Sequence, residues 1–288
     1  MTDMRYEAPE TVDAAVAALA AAGAGRVLAG GTDVLVQLHA DVIEPDLLLD
    51  IKKIPELRRI TAEAGGWRFG AAVSCMEMME HKDFCRAWPG VIEGAALIGS
   101  VQIKGRATVA GNLCNASPAA DTVPAMIAAG AVATVIGPDG KRDVPVEDII
   151  IGPGKTSLKR GEFIISFFLP KRPPHSGDCY LRLTPRTEMD IAVVGVGVSL
   201  TLDNSGTCTA ARVALGAVAP TPLLVKEAAA AIIGTKVDDA ALAKLGQAAS
   251  AACRPISDKR GTKEYRIKTA AVIARRAAEK ALERAREN

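Results

Sequence analysis

Apolar positions change spacing several times along the chain. Thr11 precedes AAVAALAAA, a helical run that Thr11 can cap and Gly23 can stop by taking the left-handed conformation. Arg26 to Ala29 then reads as a short buried strand running straight into Gly30, Gly31, Thr32 and Asp33, and Asp46 to Ile51 (DLLLDI) reads as a second strand. Residues 1–57 thus predict a small βαβ-like unit. Further on, Trp67 to Gly70 predicts a strand, Ser74 with Glu77 has the form of a capping box, and Gly90 to Ile98 predicts a helix. The small and polar stretch Lys104 to Asp121 follows, then a helix expected to open near Pro118 and to run toward Ala129. Val132 to Ile136, the turn Gly137 to Gly140, and Lys141 to Val144 form an expected hairpin, with a further strand over Phe163 to Leu169. Lys171 to Gly177, with paired prolines and a glycine, reads as a linker. Beyond it, Ile191 to Leu202 and Thr207 to Val218 alternate around an Asn204–Gly206 turn as an antiparallel pair. The Ala-rich remainder is helical, with the Ala and Arg of the last helix read as a solvated face.

These elements predict an α+β protein. A two-part domain over 1–174 combines the N-terminal unit with a larger mixed or antiparallel sheet and helices over 58–174, and 178–288 forms a smaller α+β domain with an antiparallel sheet and a helix bundle. A length of 288 residues suits such a division, and 49% hydrophobic but only 3% aromatic residues call for a core of Ala, Val, Ile and Leu. Lys plus Arg total 35 against 33 for Asp plus Glu, which supplies no broad cationic field for nucleic acid or an anionic membrane. The N-terminus has no basic-then-apolar leader and no apolar run could span a bilayer, so a cytoplasmic protein is expected. Six scattered cysteines without a CxxC pair indicate neither a disulfide framework, nor zinc, nor an iron–sulfur cluster on this chain. His39, His81 and His175 are too scattered for a metal site, and no residue is expected to be catalytic or metal-ligating.

Candidate chemistry lies in two small-residue turns. A phosphate needs several backbone N–H donors converging with no Cβ in the way. Ala29 to Asp33 follows a strand directly and adds the Thr32 hydroxyl; Thr108 to Asn112 offers a hydroxyl, small residues and an amide. Together they could clamp a pyrophosphate from both sides, although each alone is also an ordinary tight turn. Neither is a GxGxxG nor a GxxxxGK[ST] motif, so the two common nucleotide folds are not supported.

VLAGGTDVLVQL, then QIKGRATVAGNLCNASPAADTVPAMIAAGA, then GPGKTSLKRGEFIISFFLP, in that order, resemble the FAD-binding medium subunits of molybdenum hydroxylases, the xanthine and carbon monoxide dehydrogenase family. These are a branch of the flavoproteins with the vanillyl-alcohol oxidase type of fold. The likeness continues through Arg186 to Ala192, the ALGAVAPTP segment and SDKRGTKEYR. It implies non-covalent FAD, held by main-chain donors of Ala29, Gly30, Gly31, Thr32 and Asp33, with Val27, Leu28 and Val34 flanking them. Ala107, Thr108, Ala110, Gly111 and Asn112 are implied on the other side. Asp121 is implied at the ribose or adenosine end, its alternative being a helix first-turn charge. Asn112 and Ser117 are implied to satisfy cofactor or loop polar groups, and Phe163 and Ile164 to lie against the flavin side. Arg182 is implied near the flavin, where a cation favours the reduced anionic form, its alternative being an exposed surface arginine. Ile98 stands where some relatives carry an aromatic residue over the flavin. Cys114 lies inside the cradle, its alternative being a small packed thiol. Ala110 departs from the paired glycines common in this motif. The cysteine-bearing insertion of relatives that reduce aromatic acyl-CoA thioesters is absent after Asn112.

The resemblance further implies a relay. Molybdopterin on a large partner oxidises the substrate, two 2Fe-2S clusters on a small partner pass single electrons, and FAD on this chain converts them into pairs for NAD(P), quinone, oxygen or another acceptor. A dimer of heterotrimers is the assembly implied. Two rivals remain: a self-sufficient flavoenzyme of the same fold, and a non-catalytic assembly protein that has lost FAD.

Overall fold

A computed structural model describes residues 4–288. The N-terminal unit is a three-stranded parallel sheet in the order Arg5–Glu7, Leu47–Asp50, Gly25–Leu28. Helix Val12–Ala21 is capped as expected, with Thr11 Oγ1 accepting from the Ala14 N–H at 3.2 Å. Its end differs from expectation. The chain leaves the helix extended at Ala22, and Gly23 is not among the residues of positive φ. The Asp46 carboxylate takes the Gly23 and Ala24 N–H groups at 2.7 and 2.9 Å, so a side chain finishes the turn that a left-handed glycine would otherwise make.

The second sheet has five strands in the order Ile60–Glu63, Gly66–Gly70, Phe163–Pro170, Val132–Gly137, Gly140–Pro145. Every pairing in it is antiparallel; among the described residues, parallel pairing is confined to the N-terminal sheet. Alternation puts Phe69, Phe167, Ala133 and Val135 into the main core, where the rings of Phe69 and Phe167 stack at 5.1 Å. The capping box forms, with Ser74 and Glu77 satisfying each other's backbone at the start of helix Cys75–Glu80. The helix expected from Pro118 begins only at Thr122 and ends at Ala128; Pro118 instead offers its carbonyl to the Ala217 N–H at 2.7 Å.

The C-terminal sheet is antiparallel in the order Ser176–Leu183, Val194–Leu202, Cys208–Gly216, Leu223–Leu224. Its first strand starts inside the segment read as a linker. Helices Asp239–Ala252 and Lys263–Glu287 cover one face over a second core. The alanines of the last helix are not solvated: Ala270, Ala274, Ala277, Ala278, Ala281 and Ala285 are buried against the sheet. Small side chains are required there, because a Cβ on Gly177 would stand 2.0 Å from the Ala281 carbonyl oxygen.

Candidate functional site

Between the N-terminal unit and the five-stranded sheet lies a cleft of about 570 Å3. Its first wall is the turn after strand Gly25–Leu28. Gly31 has φ +82°, a conformation that disfavours any side chain. Gly30 is needed for a different reason: a Cβ there would fall 2.1 Å from the Arg106 carbonyl oxygen, so the two walls touch backbone to backbone. Among the described residues, the N–H groups of Gly30, Gly31, Thr32 and Asp33 donate to no protein acceptor. Unpaired donors beside a cavity are a site for an anion, because leaving them unsatisfied is costly.

The second wall is the start of helix Val109–Cys114. Thr108 caps it, Oγ1 accepting from the Gly111 N–H at 2.9 Å, so that donor is already spent. The Ala110 N–H has no acceptor among the described residues, whereas Val109 is buried beside the antiparallel bridge that pairs Thr108 with Ser74. The Ala110 methyl is 7% exposed and belongs to the main core, which accommodates the departure from a glycine pair. Asn112 also lines the cleft; its Oδ1 accepts from the Thr122 N–H and hydroxyl at 3.1 and 2.7 Å.

Ile98, Phe163 and Ile164 close the apolar part, with Val27, Ala29, Val34 and Ala107 along the sides. Cys114 lines the cleft, and its residue surface is open to solvent. Protein atoms surround its sulfur closely enough that desolvation still pushes the thiol up to about 12. Asp33 is likewise open to solvent but walled in, and desolvation raises its carboxyl above the ordinary range.

Four expected residues stand elsewhere. Leu28 is buried beneath Gly31, and the Ser117 hydroxyl accepts from the Ala119 N–H at 3.2 Å, a loop bond. Asp121 does not line the cleft: its Oδ1 accepts from the Tyr180 hydroxyl at 2.9 Å and its Oδ2 from Arg182 Nη1 at 2.7 Å. Burial raises the Asp121 carboxyl against the pull of Arg182 and Tyr180, and burial also holds the Tyr180 phenol well above its ordinary value, as a donor. Arg182 is not an exposed arginine, since its side chain is 5% exposed and its charge is opposed by Asp121.

Sequence reasoning missed the wall formed by Leu158, Lys159, Arg160, Gly161 and Glu162. Arg160 Nη2 reaches across to the Ala22 carbonyl at 2.8 Å, and Glu162 is held by Arg142 at 2.9 and 2.8 Å. With Glu162 so neutralised, Arg26, Lys159 and Arg160 outnumber Asp33 and leave the cleft lining cationic. The signal was the basic pair before Gly161, inside a motif quoted above for resemblance alone.

Residues 2–172 match the family described as the FAD binding domain in molybdopterin dehydrogenase, and residues 180–281 the CO dehydrogenase flavoprotein C-terminal domain. The chain belongs to the FAD-binding subunits of the molybdopterin dehydrogenases. This flavoprotein subunit is 33% identical to the carbon monoxide dehydrogenase medium chain of Afipia carboxidovorans, over 98% of this chain and 97% of that one. It is also 33% identical to the xanthine dehydrogenase FAD-binding subunit of Escherichia coli O157:H7, over 91% of this chain and 90% of that one. Among solved structures, a chain of the cyanide-inactivated Cu,Mo-CO dehydrogenase superposes with a TM-score of 0.93 at 33% identity, covering 98% of both chains. Quinoline 2-oxidoreductase from Pseudomonas putida 86 superposes with a TM-score of 0.90 at 26% identity, again over 98% of both. The α+β architecture is that of these oxidoreductase subunits, and FAD is the cofactor the family binds. Among the described residues no group of His, Cys, Asp or Glu is placed to hold a metal, and no helix is long and apolar enough to cross a membrane.

Proposed function

We propose that the cleft holds FAD without a covalent link. Its diphosphate would lie between the N–H groups of Gly30 to Asp33 and that of Ala110, with Asn112 beside them. The observation that carries this reading is the row of unpaired donors on a wall whose glycine lets the facing backbone come into contact. Lys159 and Arg160 add charge for the diphosphate, and Ile98, Phe163 and Ile164 exclude water from the apolar end. Bound flavin supplies the conversion between single electrons and electron pairs. The protein binds and orients the cofactor, and no side chain acts as nucleophile.

In this reading the subunit collects electrons from 2Fe-2S clusters of a small partner, which drains a molybdopterin site on a large partner. It delivers them to NAD(P), quinone, oxygen or another acceptor. Relatives named as medium chains support a three-chain complex, and we infer a dimer of heterotrimers. We also divide the chain into FAD-binding residues 1–174 and a C-terminal domain over 178–288. Six unpaired cysteines suit a reducing compartment, and the cytoplasm is the expected location. The test is the visible spectrum of the purified chain before and after acid precipitation. Flavin bands with FAD released into the supernatant are the expected result. A colourless chain that takes up no added FAD would overturn the reading.

A further inference from the structure

Asp121, although buried, is doubly bonded to the C-terminal sheet: both of its donors, Tyr180 and Arg182, stand on strand Ser176–Leu183. The next residue, Thr122, is 0% exposed and faces the other way, with its N–H and hydroxyl both donating to Asn112 Oδ1. Because two donors occupy the oxygen of that cleft-lining amide, Nδ2 is the end left without a protein acceptor among the described residues. The backbone around this hub is pressed onto the same sheet. A Cβ at Gly197 would stand 2.3 Å from the Pro124 carbonyl oxygen and one at Gly216 2.8 Å from Pro124 Cγ. The hub therefore has no room to shift unless the sheet shifts with it.

We propose that Tyr180, Asp121 and Thr122 form a strut through which the C-terminal sheet fixes the orientation of Asn112 in the cleft, making them positioning residues for FAD retention. Tyr180 and Arg182 fix the Asp121 carboxylate in a buried site where an unpaired charge is costly, and that sets the adjoining Thr122. Thr122 then pins the carbonyl end of Asn112 and presents its amide donors to the cofactor. The inference rests on the cleft being the FAD site.

The test titrates the full chain, stripped of flavin, with FAD and follows flavin fluorescence, with thermal midpoints measured in parallel. Asn112→Ala is expected to weaken FAD binding about tenfold, and Tyr180→Phe and Thr122→Val about three- to fivefold each. The double variant Tyr180→Phe with Asn112→Ala is expected to bind no more weakly than Asn112→Ala alone, because the strut acts only through Asn112. Multiplying effects in the double variant would overturn the strut, as would a Tyr180→Phe variant that melts lower yet binds FAD like wild type. Should Tyr180→Phe not fold, Thr122→Val, similar in shape and leaving the Asp121 bonds to Tyr180 and Arg182 in place, decides alone: wild-type affinity overturns the proposal and weakened affinity supports it. A wild-type chain that binds no FAD removes the cleft reading and the strut with it. Wild-type binding that these variants leave intact removes the strut alone.

Discussion

The two walls of the cleft look alike in sequence, each a threonine among small residues beside a polar side chain, but they work differently. In the first wall the glycines serve sterics, Gly30 allowing contact with Arg106 and Gly31 supplying φ +82°, and the backbone donors are left free. In the second wall Thr108 spends the Gly111 donor on its own helix, and a Cβ at Gly111 would meet one side-chain atom of the protein, Thr108 Oγ1 at 3.2 Å, rather than facing backbone. A turn rich in glycine therefore says little about anion binding until its donors are counted.

The sharpest way to break this contrast is a pair of matched substitutions. Gly30→Ala forces the walls apart against backbone and is expected to weaken FAD binding by roughly 100-fold, since overpacking of this kind costs about 3 kcal/mol. Gly111→Ala is expected to weaken it less, since the added methyl meets a side-chain hydroxyl of the protein rather than facing backbone. Equal losses in the two variants, read by flavin fluorescence, would show that the walls are equivalent after all. Next in size, Thr108→Val removes the cap and is expected to lower stability by about 1 kcal/mol, read from the denaturant midpoint. An unchanged midpoint would mean the Gly111 donor was never spent.

A pH titration sharpens the contrast further, because the first wall carries a carboxylate, Asp33, and the second carries none. Desolvation already raises its carboxyl, and a diphosphate placed beside it raises it again, so binding takes up a proton and FAD should bind more tightly as pH falls from neutral toward the carboxylate range. Linkage sets the same sign for folding: the native state holds the proton over a window where the unfolded chain has lost it, so this contribution to stability declines as pH rises through the raised value. Asp33→Asn should flatten the binding profile, and a persisting slope would place the titrating group elsewhere. The smallest effect concerns Cys114. With its thiol pushed up to about 12, it should alkylate slowly near neutral pH, and bound FAD should slow it further, as followed by mass spectrometry. Labelling indifferent to FAD would put Cys114 outside the occupied part of the cleft.

Much of the cleft was legible before any coordinates. The turn after Leu28, the stretch around Thr108 and the segment at Phe163 converge on it as expected. Asp121 and Arg182 were singled out by the resemblance alone, each as a residue near the cofactor, and not as partners of each other. The strand Ser176–Leu183 was hidden because Lys171 to Gly177 carries linker-like prolines and glycine, while the β-pairing that extends it to Ser176 comes from Val194–Leu202. The buried alanines of the last helix were misread because Ala suits either surface, and only the close approach at Gly177 tells them apart.

The sequence by itself determined what neighbouring residues settle among themselves: the Thr11 cap, the Ser74 and Glu77 box, the hairpin at Gly137 to Gly140, and the small-residue turns. Each depends on bonds closed within a few positions, so a local pattern suffices. Only the tertiary structure decided which donors stay free, that Arg160 bridges to Ala22 138 positions away, and that Asp121 is bonded to Tyr180 59 positions away. Those outcomes depend on which surfaces meet when the sheets pack, and no periodicity in the chain records where two distant backbones will touch.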